Sequence, residues 1–363
     1  MRAPLRAEVV VVGLGVVGLS TALALARRRV RVVGVDRFGS GHPYTSSTGV
    51  SRSIRVAYAL AAYAQLAVEA LDRWAQPPAT LAALAAGLRS ASVAHEELGP
   101  EDVRRRWPAI AVADHEHALF HPRAGAVLAD RAMAALSTAA VAAGAELRAP
   151  ARALSVAAGA RGVRVRTAAG TIDADRAVIA AGPWTSELVR PLGLDLPLAP
   201  AYGQVTYFDA PELVTMPGIA EWGAGEEGGV YGHPVPGIGY KLGFDAAGDD
   251  PWLPDAAPVP CAQEQRRLER WAEARIPRLC GRALRSDRHP WTMTPDADFA
   301  IGAIGPVTVA AGCSGHAFKF GPALGELIAD TSDGNPRPAA AMFALDRDAL
   351  AGPAPAPSRP ITR

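Results

Sequence analysis

The 363-residue chain is long enough for two domains and a sizeable core, and its 20% charged, 49% apolar composition is that of an ordinary globular protein. A net charge of +1 provides no field for nucleic acid or an anionic membrane, so neither is expected as a partner. Cys261, Cys280 and Cys313 are too few and too far apart for a disulfide framework or a thiolate metal site, so the expected compartment is a reducing cytoplasm and no metal is expected.

Val9 to Val12 is a short β-branched run, which predicts a parallel strand buried on both faces. Gly13, Gly15 and Gly18 follow in G-x-G-x-x-G spacing. The first permits a tight turn, the second lets backbone approach a pyrophosphate, and the third lets helix pack closely on strand. Ser20 to Arg29 reads as the following helix, whose N-terminus favours phosphate. Val30 to Val35 reads as a second strand, and Asp36 at its end can accept hydrogen bonds from a ribose hydroxyl. The uncharged run from Val9 to Ala26 also imitates a signal peptide or membrane span. The fingerprint glycines and Arg27-Arg28-Arg29 argue for the nucleotide fold instead, and no targeting segment is expected.

A polar loop from Gly39 to Gly49 leads to Arg52 and Arg55, which three-residue spacing would place on one face of a helical turn. On spacing alone they read as solvated surface charges. Residues 60–74 predict an amphipathic helix ended by Pro77-Pro78, residues 79–97 give no clear pattern, and residues 99–108 predict a short helix. Ala118 to Val127 is strand-like. A helix follows with Asp130 as N-cap and Gly144 just past its last residue, Ala143. Alternating segments from Glu146 to Asp175 predict meandering strands. Ala177 to Gly182 predicts a buried strand that brings the Gly182 turn near the nucleotide, with Pro183-Trp184 starting a helix to Arg190.

Residues 201–285 predict antiparallel strands at Val205–Phe208, Gly229–His233 and Tyr240–Phe244, then a helix from Ala262 to Arg275. Val307 to Gly312 predicts a third buried strand, followed by a loop and a helix from Pro322 to Ala329. The expected architecture is α/β. A discontinuous Rossmann-type dinucleotide domain is drawn from 1–75, 126–197 and 286–345, and a second α+β substrate domain on an antiparallel sheet from 76–125 and 198–285. Residues 346–363 form a tail. A helix N-terminus after Gly312 and Gly315 favours negative charge, and His316 and Lys319 can reach one anionic group there. By themselves these two also read as a packed histidine and a surface charge.

Several stretches run together in a recognisable order: Gly13 to Gly18, Gly49-Val-Ser-Arg-Ser-Ile-Arg-Val-Ala-Tyr58, Arg106-Trp-Pro, and Ala180-Ala-Gly-Pro-Trp184. Tyr240-Lys-Leu-Gly, Thr292-Met-Thr-Pro-Asp296 and Ala310-Ala-Gly-Cys-Ser-Gly-His-Ala-Phe-Lys-Phe320 complete the set. In this the chain resembles the sarcosine oxidase family of FAD-dependent amine and amino-acid oxidases, within the wider D-amino-acid oxidase and glycine oxidase superfamily. The resemblance implies FAD in the Rossmann-type domain. It further implies that Arg55 holds a substrate carboxylate with help from Lys319, that His316 lies beside the flavin, and that Lys241 activates oxygen. Without it, Lys241 would read as a strand-edge lysine. Tyr231 and Trp291 are expected as aromatic walls of the substrate pocket. Gly13, Gly15, Gly18, Asp36, Ser47, Thr48, Arg52, Gly182, Trp184, His289, Gly312, Gly315 and Lys319 are expected around the cofactor.

The chain departs from the family pattern at three points. His289 stands where the family carries its flavin-linking cysteine, so noncovalent FAD is expected, with a histidyl link at His289 as the alternative. Cys313 occupies a position the family fills with an apolar residue, which favours packing. Ser47-Thr48 replaces a histidine pair, and the stretch between Trp74 and His95 is short for the family. The resemblance implies oxidation of a secondary or cyclic amino acid by a monomer, with oxygen reduced to hydrogen peroxide. Alternatives are an FAD dehydrogenase with a quinone or protein acceptor, a low-turnover flavin-binding protein, and a nicotinamide-binding scaffold.

Overall fold

A computed structural model describes residues 5–39, 41–55, 58, 60–74, 94–122, 124–221, 229–246, 248 and 250–354. Much of the stretch between Trp74 and His95, and the second half of the expected tail, lie outside the described residues.

β1 (Leu5–Val12) is the centre of the larger sheet. It runs parallel to β2 (Val32–Val35) on one side and to β10 (Gly170–Ile179) on the other. Val9 and Val11 face one core and Val10 and Val12 the other, so both faces of the strand are dry, as the unbroken valine run requires. The edges are completed by β7 (Glu146–Arg148) beside β2, and by β17 (Val307–Ala311) and β16 (Ala300–Ile304) beyond β10.

Helix α1 (Val16–Arg27) begins four residues earlier than the sequence reading. Gly15 is its N-cap, with extended backbone. The cap bond comes from far away in sequence: Val16 N–H donates to Ser47 Oγ at 3.0 Å. β10 is one ten-residue strand where two were expected. Its first half pairs antiparallel with β9 (Gly162–Thr167), which pairs with β8 (Ala153–Gly159); from Ile172 on it also runs parallel to β1, and over Ala177 to Ile179 parallel to β17. The polar alternation gives way to an apolar run because the strand passes from a half-exposed meander into a doubly covered sheet.

Helices α2 (Ala61–Trp74), α4 (Ala129–Ala142) and α7 (Gly321–Ser332) share the larger core with α1. Leu128 is the N-cap of α4, so Asp130 lies in its first turn and is not the cap. The Asp130 carboxylate instead accepts from Gly49 N–H at 2.8 Å. Arg28 at the end of α1 pairs with Glu326, Asp330 and Asp333 of α7 and its C-cap, at 2.8, 2.7 and 2.8 Å.

The second sheet is antiparallel in the order β12 (Ile219–Glu221), β13 (Val230–Val235), β14 (Gly239–Phe244), β11 (Ala199–Asp209), β15 (Ala283–Met293). Helix α6 (Ala262–Arg275) covers its outer face, burying Leu268 and Ala272 against Phe208 and Leu242. The boundary drawn at 285/286 falls inside β15, which pairs with β11 through most of its length. Two small ribbons complete the chain: β3 (Arg52–Ile54) with β6 (Gly125–Val127), and β4 (Glu96–Leu98) with β5 (Ala118–Phe120). Short helices α3 (Pro100–Arg106) and α5 (Thr185–Val189) lie between strands. No helix among the described residues is long and apolar enough to cross a membrane.

Candidate active site

One elongated cavity runs from the glycine fingerprint at the end of β1 to the inner face of the antiparallel sheet. At its nucleotide end the walls include Gly13, Gly15, Asp36, Ser47, Gly182 and Trp184. A Cβ on Gly13, where φ is +94°, would sit 2.3 Å from the Ala180 carbonyl oxygen, so the turn exists only with glycine. The Asp36 carboxylate accepts from the N–H groups of Leu14, Phe38 and Gly39 at 2.7, 2.8 and 3.0 Å, which holds the turn and leaves acceptor capacity over. The cation of Arg37 lies over the rings of Phe38 and Trp184, at 4.8 and 5.5 Å from their centres.

Arg52 and Arg55 both line the middle of the cavity, but from an extended strand and the residue after it, not from a helical turn. Arg52 to Ile54 is held extended by its antiparallel register with β6. Arg52 donates to the carbonyls of Ser46 at 3.1 Å, Ser51 at 3.0 Å and Thr48, and burial lowers its pKa from the ordinary arginine value. Lys241 enters from β14 and is 1% exposed. Its ammonium donates to the Ser51 carbonyl at 2.6 Å. Burial, reinforced by the charge of Arg52, pushes its pKa well below the usual lysine value.

The sequence reading missed His233, which also lines the cavity and lies opposite Lys241 across the β13–β14 ladder. Its ring spans two serines flanking Arg52, with Nε2 at 3.0 Å from Ser51 Oγ and Nδ1 at 2.9 Å from Ser53 Oγ. Burial, then Lys241 and Arg52, hold its pKa well below the ordinary histidine value. No sequence pattern signals it, because its partners lie about 180 residues away.

The third wall is the loop after β17, with Gly312, Cys313, Gly315, His316 and Lys319. His316 Nε2 donates to the Ala297 carbonyl at 3.1 Å; in the neutral ring this leaves Nδ1 to accept from the Tyr58 hydroxyl at 3.3 Å. Phe299 stacks on the imidazole at 4.8 Å between centres. Lys319 is buried, donates to the His316 carbonyl at 3.0 Å, and has its pKa lowered by burial and then by Arg55. Burial works against the charge of Arg55, but Tyr58 and Asp245 outweigh it and raise the guanidinium above its ordinary value. The Tyr58 ring lies 5.0 Å from the Arg55 cation and 5.8 Å from that of Lys319, and burial pushes its hydroxyl up to about 12. Tyr231 and Trp291 both line the cavity. The Trp291 ring packs against Gly203, where a Cβ would come within 2.2 Å of it.

Three expected residues stand back from the cavity. Gly18 packs α1 on the fingerprint turn, where a Cβ would meet the Gly13 carbonyl oxygen at 1.8 Å. The Thr48 hydroxyl donates to the Gly41 carbonyl at 3.1 Å. His289, 7% exposed, lies behind Gly49 and Arg52, and neither ring nitrogen has a hydrogen-bond partner among the described residues. Cys313 combines two roles, lining the cavity while its sulfur accepts from Thr292 N–H at 3.3 Å.

The residues present fit a dinucleotide. The N-terminus of α1 carries no acidic residue in its first turn, the fingerprint glycines leave backbone open to approach, and the Trp184 indole nitrogen at the wall is buried without a partner among the described residues. The profile of the family described as FAD dependent oxidoreductase matches residues 8–331. Monomeric sarcosine oxidase of Streptomyces avermitilis is 32% identical over 89% of this chain and 92% of that protein. Monomeric sarcosine oxidase of a Bacillus strain is 28% identical over 94% and 96%. Among solved structures, the open form of NikD, an unusual amino acid oxidase essential for nikkomycin biosynthesis, superposes with a TM-score of 0.80 at 26% identity, covering 94% of this chain and 97% of that one. The chain thus belongs to the FAD dependent oxidoreductase family and is an FAD-dependent enzyme.

Proposed function

We propose that the protein oxidises the carbon–nitrogen bond of a secondary or cyclic amino acid to an imine and passes the electrons to oxygen, which becomes hydrogen peroxide. The observation that carries this reading is the convergence of Arg55, Lys319 and Lys241 on one cavity that continues into the nucleotide fingerprint. Its relatives are named as sarcosine oxidases and NikD as an amino acid oxidase, which supports the substrate class. Bound FAD supplies the two-electron acceptor. Gly13, Gly15, Asp36, Ser47, Gly182 and Trp184 would hold it along the nucleotide end, with Arg52, Gly312 and Gly315 further in.

Arg55 binds the substrate carboxylate through its planar fork, and Lys319 adds a second donor from the loop after β17. Tyr58 lies beside both cations and ties them to His316 through its hydroxyl. Tyr231 and Trp291 give the apolar body of the substrate aromatic surfaces. Lys241 provides positive charge for oxygen reduction, an electrostatic role that needs no covalent chemistry. Trapping the amine among these groups replaces a bimolecular encounter by a fixed geometry.

FAD is held noncovalently in this reading. His289 is not among the residues lining the cavity, which supports free FAD over a histidyl link. Acid precipitation decides the point: noncovalent FAD appears in the supernatant, whereas a yellow pellet establishes the His289 link. A monomer in the cytoplasm completes the proposal.

The test is anaerobic mixing of the yellow protein with a panel of secondary amino acids, followed by air. Bleaching by one member and rapid return of colour with peroxide supports the oxidase. Bleaching without return in air replaces oxygen by another acceptor, and no bleaching by any member removes the substrate class.

A further inference from the structure

The cavity holds a carboxylate that the proposed roles leave unused. Strand alternation puts Lys241 and Gly243 on one face of β14, and Asp245, the residue after the strand end, continues that row toward the cavity. Gly243 between them carries no side chain, and the ring of Tyr231 from the paired strand fills its place: a Cβ there would meet the Tyr231 ring and hydroxyl at 2.9 Å. Asp245 is therefore held at the far end of a shelf whose floor is Tyr231 and whose other end is Lys241.

The Asp245 carboxylate lies 3.9 Å from the Arg55 guanidinium, with both side chains about one-sixth exposed. That separation is a charge pairing wider than a hydrogen bond. Its field also reaches Tyr58, Tyr231 and Lys319. The other carboxylates along the described cavity wall are placed differently. Asp36 and Glu187 belong to the nucleotide end, and Glu221 is paired with Arg275 at 2.7 Å and accepts from the Trp271 indole at 2.8 Å.

We infer that Asp245 is a specificity-determining residue that receives the substrate's ammonium group while Arg55 receives its carboxylate. This rests on the reading of Arg55 as the carboxylate site. An α-amino acid presents negative and positive groups a few bonds apart, and Arg55 with Asp245 presents the opposite order at matching scale. Two dipoles so arranged attract in a cavity largely screened from water. A carboxylate without an amine places its negative end on Arg55 and leaves Asp245 with nothing gained. Asp245 therefore selects zwitterions over plain carboxylates, a choice that Arg55 and Lys319 alone cannot make.

The experiment uses FAD-loaded protein with two probes: L-proline, followed by the concentration that half-saturates anaerobic bleaching, and methoxyacetate, followed by its perturbation of the visible spectrum. In Asp245→Asn, an isosteric change, half-saturation by L-proline should rise by about tenfold or more, the range expected for losing a charged partner. Methoxyacetate should bind as before or more tightly, and Asp245→Glu should recover part of the preference. FAD content and unperturbed spectrum equal to those of the parent protein certify the fold. An equal loss for both probes, the pattern of a residue that merely holds Arg55 in place, overturns the inference, as does no change for either. Arg55→Ala keeps the two readings apart: unaltered methoxyacetate binding there removes the carboxylate site itself, whatever Asp245→Asn does.

Discussion

The Lys241 ammonium donates to the Ser51 main-chain carbonyl at 2.6 Å, so the buried cation of the antiparallel sheet is anchored by the residue that precedes Arg52. The Ser51 hydroxyl is in turn 3.0 Å from His233, which sits across the ladder from Lys241. If this ammonium serves oxygen, Lys241→Met should slow return of colour in air by about 10²–10³-fold, the range for removing one preorganised electrostatic group. Anaerobic bleaching by substrate should change little. Stopped-flow traces of the two half-reactions separate these effects, and an unaltered oxygen rate would withdraw the role.

Arg55→Ala removes a guanidinium whose charge Tyr58 and Asp245 favour. Losing a charge-assisted pair should raise half-saturating substrate by roughly 10- to 100-fold. The effect should fall on half-saturation more than on the limiting bleaching rate, and titration of bleaching rate against substrate concentration measures both.

Gly18→Ala should cost the protein its cofactor. The added methyl would lie 1.8 Å from the Gly13 carbonyl oxygen, so the fingerprint turn and α1 must part. The purified variant should contain much less FAD than the parent. Gly159→Ala, where a Cβ meets nothing within 4 Å, serves as the control and should keep its colour.

His233 and His289 both have folded pKa values well below 6.5, caused first by burial and then by neighbouring cations. Between those folded values and 6.5 the unfolded chain binds more protons, so stability rises with pH in that window and is lost as the pH falls through it. Each histidine contributes at most about 1.4 kcal/mol per pH unit. His289→Leu should flatten the dependence of the urea midpoint on pH below 6.5, and an unchanged slope would show that His289 does not set it.

The nucleotide half of the fold was legible because its signals are local. An unbroken valine run, glycines at fixed spacing and an acid at the end of the next strand all fall within one stretch of the first 36 residues, so the pattern is readable there even though the valines and Gly13 also pack on β10 and Ala180. Where a partner is remote the reading failed. The start of α1 depends on Ser47, the strand geometry of Arg52 depends on β6, and the partner of Asp130 is the Gly49 amide rather than its own helix. The candidate site divides the same way. Arg55, Lys241, His316 and Lys319 came from motif resemblance, whereas His233 and Asp245 carry no sequence signature because strand pairing alone brings them to the cavity.

Arg28 joins α1 to α7, and α7 lies so close to α1 that a Cβ on Gly325 would meet the Ser20 backbone at 2.5 Å. During synthesis this has a cost in time. The fingerprint emerges first, yet the wall that covers α1 is made about 300 residues later. The nascent nucleotide half must wait with an apolar helix face uncovered, and such long-range closure is slow and exposed to aggregation. A ribosome stalled before residue 321 would hold a chain that has the phosphate loop but not the helix that packs it, so a settled fingerprint waits on the synthesis of α7.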